Sequence, residues 1–159
     1  MDVQRQQSSL ECQWACQSLF LRFMQCLDAS EAEAVGSMVS PDVVWVRQGQ
    51  RLVGVAAICR VFGERPPDRM IRHHLSNIVI TLEGRDKARS KAYYAVYAHE
   101  GLVRPRLISG PERVGDYHAE YVRTDQGWRI SHLRAERLFT ASNQPPAGSV
   151  GEPTTRSAR

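Results

Sequence analysis

No stretch of the 159-residue chain is apolar for long enough to span a membrane. The amino-terminal run Met1-Asp2-Val3-Gln4-Arg5-Gln6-Gln7 has neither the apolar core nor the small-residue cleavage site of a secretory signal. No membrane partner is expected, and the cytoplasm is the expected compartment. Cysteine is sparse: there are four, with no Cys-x-x-Cys pair and no Cys/His spacing of the zinc-finger kind. A chain of this length can bury roughly two-thirds of its unfolded surface, so it needs neither disulfides nor a structural metal. Cys12, Cys16, Cys26 and Cys59 therefore read as free thiols buried as small hydrophobes. His73 and His74 are adjacent, which on a strand would point them to opposite faces and keep them from gripping one ion. Nothing calls for a metal or a cofactor. A clustered basic stripe is also absent: 21 Lys+Arg stand against 17 Asp+Glu, with acidic residues interspersed as in Arg85-Asp86-Lys87 and Arg134-Ala135-Glu136-Arg137. No nucleic-acid partner is expected, and no internal repeat of solenoid length occurs.

The residues that are present describe one α+β domain. Ser8-Ser9-Leu10-Glu11 has capping-box spacing, and Cys12, Cys16, Leu19, Phe20, Phe23, Met24 and Leu27 recur at helical steps, predicting a helix over 9–27. Ser30-Glu31-Ala32-Glu33 offers a second capping box for a short helix carrying Val35 and Met38, so that Asp28 lies at a helix end. Ser40-Pro41-Asp42 reads as a turn, Val43–Val46 as a strand, and Gln48-Gly49-Gln50 as the turn of a hairpin returning through Leu52-Val53. Gly54 opens a helix with Val55, Ile58, Cys59 and Phe62 on one face, stopped by Arg65-Pro66-Pro67-Asp68. Two hairpins follow: 70–82 with 88–99, and 114–123 with 128–138, joined by a Gly/Pro/Arg-rich loop. Residues 1–8 are expected to be flexible. Beyond residue 139 the chain holds Pro145, Pro146 and Pro153 and, from Asn143, no aromatic residue, so 140–159 reads as a disordered tail. Helices first and long antiparallel strands afterwards predict a curved sheet wrapped around helices, with a pocket in its concave mouth.

Asp28 and His74 stand out as candidate chemistry. A carboxylate on one imidazole nitrogen fixes the tautomer and leaves the other nitrogen to take a proton from a substrate. The bland alternatives are a helix-terminal Asp that caps the next turn and a strand His satisfied by a backbone carbonyl. Tyr93 and Tyr97 share one side of a strand, and Trp128, Ile130, His132 and Arg134 share one side of the last. The facing of each set is open, since tyrosines on strands also serve as packing.

The helix ending in Leu27-Asp28, the strand Val43-Val44-Trp45, the Gly54-opened helix, the run Arg72-His73-His74-Leu75-Ser76-Asn77-Ile78, and Gly115-Asp116-Tyr117 with Gly127-Trp128-Arg129-Ile130 together resemble the SnoaL-like branch of the nuclear transport factor 2-like superfamily over about residues 9–139. The resemblance implies a cone-shaped, cystatin-like α+β barrel: a curved mixed sheet around amino-terminal helices, often dimeric or trimeric. It also implies an apolar pocket for a small apolar, aromatic or polyketide-like substrate. Relatives such as scytalone dehydratase, the lindane dehydrochlorinase and the bile-acid dehydratase pair an Asp at the end of the first helix with a His on the strand after the third. By motif position Asp28 and His74 match, implying a cofactor-independent lyase or dehydratase, or a related isomerase or cyclase. Tyr93, Tyr97, His132, Arg134 and Trp45 are then the candidate substrate-binding residues. Where those lyases carry a Tyr or Lys before the Asp, this chain has Phe23 and Leu27. The Arg-His-x-x-x-Asn segment also resembles the β subunit of aromatic-ring-hydroxylating dioxygenases, for which Arg72, His73 and Asn77 would serve packing. A ligand-binding protein without catalysis is the third alternative.

Overall fold

In the computed structural model, which describes residues 3–101 and 110–141, α1 (Val3–Ala29) is followed by α2 (Ala32–Val35), β1 (Val39–Arg47), β2 (Gln50–Val53), α3 (Val55–Gly63), β3 (Arg69–Leu82), β4 (Lys87–Glu100), β5 (Arg113–Thr124) and β6 (Gly127–Thr140). The expected tail lies outside the described residues from 142 onward. The strands form one sheet in the order β2-β1-β6-β5-β4-β3, antiparallel except for the parallel β1/β6 pair. The α+β class with a curved mixed sheet around helices is as expected. The sheet is open rather than a closed barrel, with β2 and β3 at its edges. None of the described helices is long and apolar enough to cross a membrane.

Two helix starts differ from expectation. α1 begins at Val3, so the Ser8-Ser9-Leu10-Glu11 box lies inside the helix instead of capping it. Ser30 has φ 61° and caps nothing; α2 starts after Glu31 without a side-chain cap. The apolar stripe of α1 behaves as read: Cys16, Phe20, Phe23, Met24 and Leu27 are buried. Phe23 meets Trp45 and Phe62 edge-on, at 5.8 and 6.4 Å between centroids, and Phe20 meets Tyr117 at 5.8 Å. These contacts lay α1 across the concave face of the sheet. Of the four free thiols, Cys16 and Cys26 are buried and Cys12 and Cys59 half-buried.

Bulges shape the sheet. Ser40-Pro41-Asp42, read as a turn, is part of β1, where the pairing with β6 jumps between Val39 and Val44. In β3 the register against β4 shifts between Ser76 and Val79, and Asn77 sits there at φ 51°, a left-handed conformation Asn tolerates. β5 and β6 shift twice, between Val114 and Gly115 and between Glu120 and Tyr121. Each extra residue exchanges the two faces of its strand and bends it, which curves the sheet over α1. The Gln48-Gly49 turn is as expected, with φ of 49° and 76° suited to a two-residue hairpin.

Candidate functional site

Strand alternation decides which side chains reach the concave face. On β3 the inward row is Ile71, His73 and Leu75; Arg72, His74 and Ser76 point the other way and are exposed. Asp28, at the end of α1, therefore meets His73 and not the expected His74. His73 Nδ1 and Asp28 Oδ1 are 2.6 Å apart, and the His73 backbone N–H donates to Asp28 Oδ2 at 2.9 Å. Both side chains are largely buried, 7% and 12% exposed. The expected Asp–His pair forms one residue earlier in the strand. His74 instead packs its ring edge-on against Tyr97 on the convex face, with centroids 5.1 Å apart.

The helix end carrying Asp28 is itself held. Arg65, from the loop that stops α3, donates to the carbonyls of Leu27 (2.5 Å) and Asp28 (3.0 Å), placing a cation on the negative end of α1. A carboxylate that accepts from Nδ1–H leaves Nε2 as the unprotonated ring nitrogen. His73 Nε2 has no hydrogen-bond partner among the described residues, and His73 lines an open-mouthed cavity of about 790 Å³ bordered by the concave face, Leu27 and the α3 end. Asp28 and His73 also border a second cavity of about 890 Å³, under the Arg65–Met70 loop.

The first cavity has an apolar wall of Leu27, Trp45, Val61, Ile71, Val96 and Ala135, with the rings of Tyr94 and Tyr117 4.5 Å apart between them. Trp45 is where the sequence placed it. The other expected binding residues are not: Tyr93 is 47% exposed under Lys91, Tyr97 is on the convex face, and Arg134 pairs with Glu136 in solvent. The reason on β4 is plain alternation, since Ala92, Tyr94 and Val96 form the buried row. On β6 it is the bulge at Ser131, which ends the inward run Trp128-Ile130 and restarts it at Leu133, turning His132 and Arg134 outward. The tyrosines that line the cavity are Tyr94 and Tyr117, whose buried row neighbours (Ala92 and Val96; Ala119 and Tyr121) were the available signal. Burial holds both phenols above their ordinary value, so they are neutral donors.

The pocket expected to be apolar and aromatic with a few polar groups is also more charged than that. Among the described residues, Arg47, Arg65, Arg69, Arg113 and Arg137 line the cavity against one lining carboxylate, Glu64. Arg69 is engaged by Glu100 and Glu112, each at 2.8 Å. Burial pushes the Arg65 guanidinium down; Asp28 opposes this, and Arg47, Arg69 and Arg72 add to it.

The model of the SnoaL-like domain matches residues 8–134. The chain belongs to the SnoaL-like domain family. No curated protein matches it in sequence. Among solved structures it is similar to a nuclear transport factor 2-like protein with a cystatin-like fold from Novosphingobium aromaticivorans, with TM-score 0.73, 23% identity, and 86% of this chain and 90% of that one covered. It is also similar to hexachlorocyclohexane dehydrochlorinase LinA-type3 from Novosphingobium barchaimii, with TM-score 0.70, 18% identity, and 86% and 92% covered. At these identities the likeness is one of fold. The family and fold named from the sequence motifs are the family and fold found.

Proposed function

We propose that this SnoaL-like protein is a cofactor-independent lyase whose general base is His73, oriented by Asp28. The observation that carries the reading is the two-point grip of Asp28 on His73, which fixes one tautomer at the wall of a cavity with an apolar side. In the reaction Nε2 takes a proton from a substrate carbon. The C–H electron pair becomes the new C=C bond, and the bond from the neighbouring carbon to its leaving group breaks, the group departing with the electron pair of the bond that held it. Asp28 then stands against the positive charge on the imidazole. Tyr117 or Tyr94 donates to an oxygen on which negative charge develops, the role expected of an aromatic hydroxyl. That a dehydrochlorinase shares the fold supports elimination as the reaction class.

The test is turnover on a panel of β-hydroxy and β-halo carbonyl compounds, read by alkene absorbance. His73→Gln should lose roughly a hundredfold or more in kcat, while His74→Gln stays near wild type. Equal losses for both, or activity kept in His73→Gln, would overturn the assignment.

A further inference from the structure

Beside the arginines already engaged, Arg47, Arg113 and Arg137 line the same cavity with unspent donors. Arg47, at the end of β1, has no carboxylate partner among the described residues; its guanidinium lies 4.8 Å from the centroid of the Trp45 ring, on its face. Arg113, at the start of β5, is 15% exposed and reaches Glu112 with Nη2 at 3.3 Å, while its Nε is buried without a partner among the described residues. The Trp45 Nε1–H is buried and unpartnered in the same sense. Arg137, on β6, has no ion pair among the described residues. Two of the four buried polar side-chain atoms that lack a partner among the described residues thus belong to lining residues of this cavity, and both can only donate. The wall of the cavity carries more guanidinium donors than carboxylates to take them, which calls for a ligand that accepts. Burial pushes Arg47 down; Tyr117 opposes this and Arg113 adds to it, as expected where cations outnumber anions.

We propose that the substrate of this cavity carries a carboxylate on an apolar or aromatic body, and that the guanidinium groups of Arg47 and Arg113 bind that carboxylate. The proposal rests on the reading of the cavity as the substrate site and names the class of molecule it takes. β1 and β3 are separated in the sheet by β6, β5 and β4, so the anchor and His73 stand at different walls of one curved cavity. The rings of Tyr94 and Tyr117 lie between them in that strand order. An anchored carboxylate would hold the body of the substrate along these rings with a carbon presented to His73 Nε2. A planar, forked guanidinium suits a carboxylate better than a lysine would.

The test uses calorimetric titration of the full chain with benzoate, phenylacetate, cinnamate and 2-naphthoate, each paired with its neutral carboxamide. At least one carboxylate should bind about tenfold or more tighter than its amide, as charge-assisted hydrogen bonds imply. Arg47→Gln should abolish that preference with the thermal midpoint kept, and Arg113→Lys should reduce it. If amides bind as well as carboxylates, the cavity reading stands and the anion proposal falls. If neither member of any pair binds, both fall. A preference that survives in Arg47→Gln and Arg113→Lys also overturns the proposal.

Discussion

Asp28 spends one carboxylate oxygen on the His73 backbone N–H and the other on its ring, so a single side chain ties the end of α1 to the middle of an edge strand. Removing it leaves two largely buried donors without acceptors. Asp28→Ala should therefore cost about 1–3 kcal/mol in chemical unfolding, and Asp28→Asn, which keeps one acceptor, less. An unchanged midpoint in Asp28→Ala would show that the grip is not formed. At this scale Asp28 and Trp45 could be read from the sequence, whereas the histidine could be reached only through its neighbours. Ile71 and Leu75 flank His73 two residues away on each side and mark its face as inward, while Arg72 and Ser76 mark the face of His74 as outward. Motif position alone does not carry that parity.

Gly115 of β5 lies opposite Arg137 of β6, beside the register shift at Leu138. A Cβ at Gly115 would collide with the Glu136 carbonyl and press on the Tyr94 ring. Gly115→Ala should destabilise the fold by about 3 kcal/mol, at the upper end of ordinary overpacking, and an urea midpoint equal to wild type would contradict the close approach. Strand and helix identities were readable from alternation and helical spacing, and the ends mostly differed by a residue or two. Bulges were not readable. Ser131 and Leu138 carry no glycine or proline to mark an inserted residue, yet each exchanges the faces of β6, and on that exchange depends whether His132 and Arg134 or Leu133 and Arg137 look inward. Asn77 offered a fainter signal, as a residue that tolerates positive φ within a strand otherwise rich in β-branched residues.

The molecule as a whole buries phenols and a thiol under its sheet. Burial holds Tyr94, Tyr117 and Tyr121 above the ordinary 10.0 and pushes Cys16 from 9.0 to about 12. These groups stay neutral in the fold and ionise more easily in the unfolded chain. Their contribution is complete below about pH 9 and is lost as pH rises, first through the thiol and then through the phenols. Thermal midpoints should accordingly fall between pH 9 and 11, and a flat profile there would contradict burial of these groups. The central claim concerns the cavity on the concave face: the functional histidine proposed is the concave His73, held by Asp28, and not the convex His74. Long-range proton–nitrogen NMR of the imidazole rings, during titration with the tightest-binding carboxylate, tests this most directly. His73 should be the Nδ1–H tautomer, with an Nε2 resonance that moves on ligand addition while that of His74 stays still. A His73 protonated at Nε2, or a response from His74 alone, would contradict the account.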